Sequence, residues 1–165
     1  MIRTAVEVLR QIVRAQRRLV LHISYRGHAA WGRGFVVGPR PHVAPGTSFA
    51  AGSRVHIGSD FVNHCNTVIG NDVMISSEVA FIGNDHPFDD SMLTLVDFEP
   101  KRPSRVTLMG DNLIGFRAII RGPVTIGKGA IIGAGSLVTS DIPENAIAYG
   151  SPARVRSMRR PSKDE

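Results

Sequence analysis

Six histidines stand at 22, 28, 42, 56, 64 and 86, and from residue 65 to the C-terminus His86 is alone. An imidazole titrates near neutrality and suits proton abstraction from a hydroxyl or an amine. A single loop histidine is by type alone an ordinary solvated group, so the reading of His86 rests on its setting. Asp85, Asp89 and Asp90 surround it; each could hold the second ring nitrogen, and the sequence leaves that choice open. Cys65 is the only cysteine, which excludes an intrachain disulfide and a cysteine-built zinc site. No metal is expected.

The setting is a repeat. In steps of six from residue 108 come Leu108, Ile114, Ile120, Ile126, Ile132 and Val138, all aliphatic. Four positions after each stands Asn112, Ala118, Val124, Ala130, Ser136 or Ile142, and glycine often follows directly, as at Gly115, Gly127 and Gly133. A second register runs through Ile57, Asn63, Ile69, Ile75 and Phe81, an earlier one through Val37, Val43, Phe49 and Val55, with a two-residue slip expected near 56. A period of six is neither the ~3.6 of a helix nor the ~2 of a strand. It describes a chain turning through three short strands per coil, so residues eighteen apart stack. About five coils at a spacing of ~4.8 Å give an all-β solenoid roughly 25 Å tall. Asn63 is the polar residue among the inward aliphatics. It reads either as an internal amide or as a contact for an acceptor hydroxyl.

Two segments leave the pattern. Residues 2–23 place Ile2, Val6, Leu9, Val13 and Val20 near one helical face, with Arg3, Arg10, Arg14, Arg17 and Arg18 over the rest; this predicts an amphipathic helix. Residues 87–107 show no hexad and carry three prolines, so they are expected to loop out and return in a new phase. The expected organisation is a basic helix over 1–26, a repeat domain over 27–157 interrupted by the 87–107 excursion, and a basic tail over 158–165. The apolar stripe of the helix must be buried somewhere. A cap on the open end of the solenoid is the expected place, and an anionic membrane touched through residues 1–24 is the alternative.

The net charge is +6, and it is terminal. Residues 1–26 carry six arginines and one glutamate, whereas the centre is slightly acidic. A basic groove for nucleic acid is therefore not expected. No apolar run approaches a membrane span, and arginines interrupt the N-terminus too often for a secretory signal. The expected location is cytoplasmic, at most peripheral to the inner face of the membrane.

Residues 126–155, IGKGAIIGAGSLVTSDIPENAIAYGSPARV, resemble the hexapeptide-repeat acyltransferases, and within them the galactoside, maltose and nodulation-factor O-acetyltransferase branch. ISSEVAFIGNDHP at 75–87 resembles that branch's catalytic segment, where His–Pro follows the last hexad before an extended loop. The similarity covers about 57–157, and GSPARV is its most specific piece. It implies a left-handed parallel β-helix, a homotrimer, and transfer of acetyl from acetyl-CoA to a hydroxyl or amine of a small molecule or carbohydrate. His86 is then the general base, with Asn63, Asn84 and Asp85 toward the acceptor. The donor falls to Gly115, Phe116, Gly133, Ala134, Thr139 and Ser140, with Arg154 on the nucleotide phosphate. The chain departs from the branch at Met109, where glycine is expected, at Leu113 for tryptophan, at Phe116 for serine and at Ser140 for lysine. The implied function is sugar O-acetylation in surface polysaccharide or glycolipid assembly. The alternative is N-acetylation of an amino sugar or nucleotide-linked amino sugar. The zinc hydrolyases that share this solenoid need two histidines about five apart on one coil, which this sequence does not offer beyond residue 65.

Overall fold

The computed structural model describes residues 2–83 and 103–159, with side chains from residue 6 onward. Helix α1 spans Ile2–Ser24. Its end is set locally: the Arg26 amide donates to Ile23 and the Gly27 amide to His22, and both residues take left-handed φ values of 49° and 81°, a conformation that closes many helices.

Seventeen short strands follow among the described residues. Strands β1 (Ala29–Trp31), β4 (Phe49–Ala51), β7 (Asn66–Ile69), β10 (Arg105–Leu108) and β13 (Val124–Ile126) form a first parallel sheet. Strands β2 (Val36–Val37), β5 (His56–Ile57), β8 (Met74–Ile75), β11 (Leu113–Ile114), β14 (Ile131–Ile132) and β16 (Ala146–Gly150) form the second, closed by antiparallel β17 (Ala153–Met158). Strands β3 (His42–Val43), β6 (Val62–Asn63), β9 (Ala80–Ile82), β12 (Ile119–Arg121) and β15 (Leu137–Val138) form the third. The chain visits the three in rotation, five coils deep. Ile75, Ile114 and Ile132 stack at one inward column, and Phe81, Ile120 and Val138 at another, all buried. Each such side chain contributes about 1.5–3 kcal/mol on burial.

The glycine after the inward aliphatic has a packing cause. A Cβ on Gly115 would lie 2.5 Å from the Ala134 nitrogen, and one on Gly127 2.5 Å from that of Glu144. Successive coils approach closely enough there to exclude any side chain.

The slip falls elsewhere than expected. Val43 pairs with Asn63 and Ala51 with Ile69, so the first coil is two residues longer, and the extra residues lie in the turn between Val43 and Phe49. Phe49 joins the column of Thr67 instead. The excursion is also shorter than 87–107. Arg105–Leu108 already pairs with Asn66–Ile69, and Val106 is fully buried opposite Thr67 and Val124. At the C-terminus β17 runs to Met158, and Arg159 is no solvated tail. It donates to Asp111 Oδ2 at 2.9 Å and to the Gly129 carbonyl at 2.9 Å, tying the last strand to the coil corner.

Helix α1 sits over the first coil, touching β1 and β2. Its last turn closes the prism: Leu21 and Tyr25 are buried, and the Tyr25 ring packs 5.3 Å from Phe49. Phe35 lies 5.9 Å from Phe49 and stacks on Trp31 at 5.1 Å. The expected cap is therefore present, but only the end of the helix supplies it.

Candidate functional site

The excursion leaves and returns at the corner between the third and first sheets. Gly83, directly after β9, takes φ 149°, and a Cβ on it would collide with the Ser104 hydroxyl. Ser104 in turn lies 3.4 Å from Cys65 Sγ, and the Gly122 amide donates to the Ile82 carbonyl. Exit and return are thus clamped together by close packing across three coils. Asn84, Asp85 and His86 fall outside the described residues, His86 three positions beyond Gly83.

The same corner carries other chemistry-bearing groups. One coil earlier, the His64 ring lies 5.6 Å from that of His42, and its Nε2 is buried with no partner among the described residues. Two coils later come Thr139 and Ser140, both exposed, beside Asp141, whose carboxylate accepts from the Thr125 amide at 2.7 Å. The hydrogen bonds of the Ala44 amide to the Asn63 carbonyl and of the His64 amide to the Phe81 carbonyl put His64 one coil before the end of β9, next to Gly83. No motif marks His64 in the sequence, because its adjacency to this corner is a consequence of register.

Asn63 goes the other way. It is wholly buried inside the prism. Its Nδ2 donates to the Tyr25 hydroxyl at 2.6 Å, and its Oδ1 accepts from the Cys65 amide at 3.1 Å and from Thr67 Oγ1 at 3.0 Å. That capacity is spent internally, so the reading as an acceptor contact is corrected to the internal amide. Burial raises the Tyr25 phenol well above its ordinary value, so it stays a neutral donor and acceptor in this network.

The residues assigned to the donor divide between two corners. Gly115 and Phe116 lie between the second and third sheets, with Gly133 and Ala134 directly below: the Gly115 amide donates to the Ile132 carbonyl, and the Phe116 carbonyl accepts from Gly135. Tyr149 continues this stack, its Cβ next to Gly133. The exposed Phe116 ring carries the Arg117 guanidinium at 5.0 Å, and Tyr149 carries that of Arg156 at 5.5 Å. Arg154 pairs with Tyr149 in the terminal hairpin, and its Nη1 donates to the neighbouring Ala153 carbonyl at 3.0 Å. Tyr149 and Arg156 were not singled out by motif, although AYGSPARV contains the tyrosine. Thr139 and Ser140 lie at the excursion corner, separated from Phe116 and Ala134 by the width of the third sheet. Gly115 and Gly133 are required by the stacking of coils, where a Cβ would meet Ala134 and Tyr149.

Comparison with known proteins agrees with this architecture. Residues 105–140 match the family described as bacterial transferase hexapeptide (six repeats). A hexapeptide-repeat-containing acetyltransferase from Vibrio cholerae, solved with acetyl-CoA, superposes with a TM-score of 0.77 at 25% identity, covering 88% of this chain and 78% of that one. A maltose O-acetyltransferase from Clostridium difficile superposes with a TM-score of 0.57 at 27% identity, covering 81% of this chain and 67% of that one. A 2,3,4,5-tetrahydropyridine-2,6-dicarboxylate N-acetyltransferase from Staphylococcus aureus is 47% identical over 57 residues, 34% of this chain and 24% of its own length. The chain spans less than half the length of the curated relatives it matches. The fold is a parallel β-helix of five coils with an N-terminal helix, and it matches the left-handed β-helix of the hexapeptide-repeat proteins.

Proposed function

We propose that the chain is an acetyltransferase that moves an acetyl group from acetyl-CoA to a sugar hydroxyl, in surface polysaccharide or glycolipid assembly, with His86 as general base. The observation that carries this reading is the likeness, over 88% of the chain, to an acetyltransferase solved with acetyl-CoA. The likeness to a maltose O-acetyltransferase supports a hydroxyl acceptor.

In this mechanism His86, tethered three residues from Gly83 and so within about 10 Å of it, takes the proton from the acceptor hydroxyl as its oxygen attacks the thioester carbonyl. Backbone or side-chain donors stabilise the tetrahedral oxyanion. Collapse expels the CoA thiolate, which takes the proton back from the imidazolium. Binding both substrates in one cleft supplies the rest. Asn84 and Asp85 contact the acceptor, and Phe116, Ala134, Thr139, Ser140 and Arg154 line the path of the donor. Apolar columns on the outer faces, such as Met74, Leu113, Ile131 and Ile147 on the second sheet, support assembly as a homotrimer; the proposed location is the cytoplasm.

The second reading is N-acetylation of an amino sugar or nucleotide-linked amino sugar, favoured by the 47% identity to an N-acetyltransferase. One experiment separates them. Sugars, amino sugars and nucleotide-sugars are screened with acetyl-CoA for CoA release, and the product's acetyl position is found by mass spectrometry. Acetylation at oxygen supports the first reading and at nitrogen the second; no CoA release with any class defeats both. His86→Ala is expected to lower kcat by roughly 10²–10⁴, and activity within a few-fold of wild type removes His86 from the mechanism.

A further inference from the structure

Helix α1 presents its apolar face to solvent. At about 100° per residue, Val6, Val8, Leu9, Ile12, Val13, Leu19, Val20 and Ile23 fall on one arc of roughly 160°. The six largest exposures on that arc lie between 50% for Ile12 and 65% for Ile23. The two residues with which the helix closes the prism, Leu21 and Tyr25, lie on the opposite arc. The cap is thus made with the back of the helix, and apart from the half-buried Val13 the stripe is left uncovered by any described residue. So many exposed aliphatic side chains on one arc of a helix mark a contact surface.

The charge on the helix indicates what covers it. Arg10, Arg14, Arg17 and Arg18 all lie outside the apolar arc, and among residues 6–24 the one acid is Glu7, in a loose exposed pair with Arg10 at 3.8 Å. Arg17 and Arg10 border the arc directly. The helix has 23 residues and no helix of the described residues is long and apolar enough to cross a membrane. An apolar face bordered along one edge by Arg17 and Arg10, on a helix of low overall hydropathy, is suited to lying in the plane of an interface, with those guanidinium groups on phosphates. We propose that this face of α1 is a docking surface for an anionic lipid bilayer. The cap then fixes the helix to the enzyme while its other side holds the enzyme on the membrane. The inference stands apart from acetyl transfer, so His86→Ala is expected to bind as the wild type does.

The test is flotation of the full-length protein with phosphatidylcholine vesicles, with and without phosphatidylglycerol. Binding is expected only with phosphatidylglycerol and is expected to weaken as salt is raised. Leu9→Gln with Ile12→Gln is expected to lower the partition coefficient roughly tenfold or more. Arg10→Gln is expected to lower it about fivefold. Both variants alter exposed positions, so melting temperature and lipid-free mass by light scattering are expected to remain those of wild type. Failure of the wild type to float with phosphatidylglycerol vesicles overturns the proposal. So does a change of mass in Leu9→Gln with Ile12→Gln, which assigns the face to a second copy of the chain.

Discussion

Removing the Tyr25 hydroxyl leaves the Asn63 amide nitrogen without its partner inside a closed prism. Tyr25→Phe is therefore expected to destabilise the protein by about 1–3 kcal/mol, read as a lower melting temperature, with activity per folded molecule unchanged. An unchanged melting temperature would show that the amide finds another acceptor. That Asn63 is polar at an inward position was legible from the six-residue step. Its partner was not, because Tyr25 lies 38 residues away in the cap and nothing in the repeat announces a side chain entering from the end. Arg159 is a similar case. It reads as one more basic residue of a tail, yet it bonds Asp111 48 residues away. His86 reads as a base through its place after the last hexad before the excursion, whereas His64 gains interest only once the coils are stacked.

At the scale of the strand and the turn, the hexad is two constraints at once. The aliphatic fills the interior, and the following glycine lets the next coil approach. Gly115→Ala is expected to destabilise by about 1–3 kcal/mol, because its Cβ meets backbone rather than a movable side chain. A loss of activity in that variant would then be traced to stacking unless its melting temperature matched wild type. Turns carry a third constraint. Arg40, Asp60, Arg54 and Asp72 all hold left-handed φ values of 55–61°, and they pair across successive coils: Arg40 chelates Asp60 with two bonds of 2.7 Å, and Arg54 binds Asp72. The hydrogen bond from each guanidinium holds its carboxylate below the ordinary value of 3.8. A depressed carboxylate adds stability that is complete above its ordinary value and is lost as pH falls through the lowered one. Melting temperature is expected to drop below about pH 4, and Arg40→Gln with Arg54→Gln is expected to flatten that drop. The pairs are exposed, so the difference is expected to shrink in high salt; an identical acid slope in the variant would dismiss the ladder. These pairs were illegible in sequence because their spacing, 20 residues in the first coil and 18 in the next, depends on where the slip falls. The slip was misplaced because Phe49 and Val55 are aliphatic or aromatic and buried, yet occupy the second inward column. Val106 was lost to the excursion for the same reason.

Considered whole, one chain holds its two sets of candidate groups apart. The tether of His86 emerges at the corner of the third and first sheets, and Phe116, Ala134 and Tyr149 line the corner of the second and third. The third sheet lies between the two corners. In a homotrimer of 17.9 kDa subunits, one subunit's His86 corner can face its neighbour's Phe116 corner, and the apolar columns between them would be covered by the contact. The expectation is that each active site draws its base from one subunit and its donor surface from the next. Two variants test this. His86→Ala removes the base, and Ala134→Trp places a large ring on an exposed position of the donor corner without touching the interior. Each alone is expected to be nearly inactive and to keep the trimer mass by light scattering. When the two are unfolded together and refolded as mixed trimers, about a quarter of the interfaces combine an intact base with an intact donor corner, and activity is expected to return to about that level. If both sets came from one chain, every mixed site would carry a defect and the mixture would stay as inactive as its components. A fully active monomer would overturn the assembly itself.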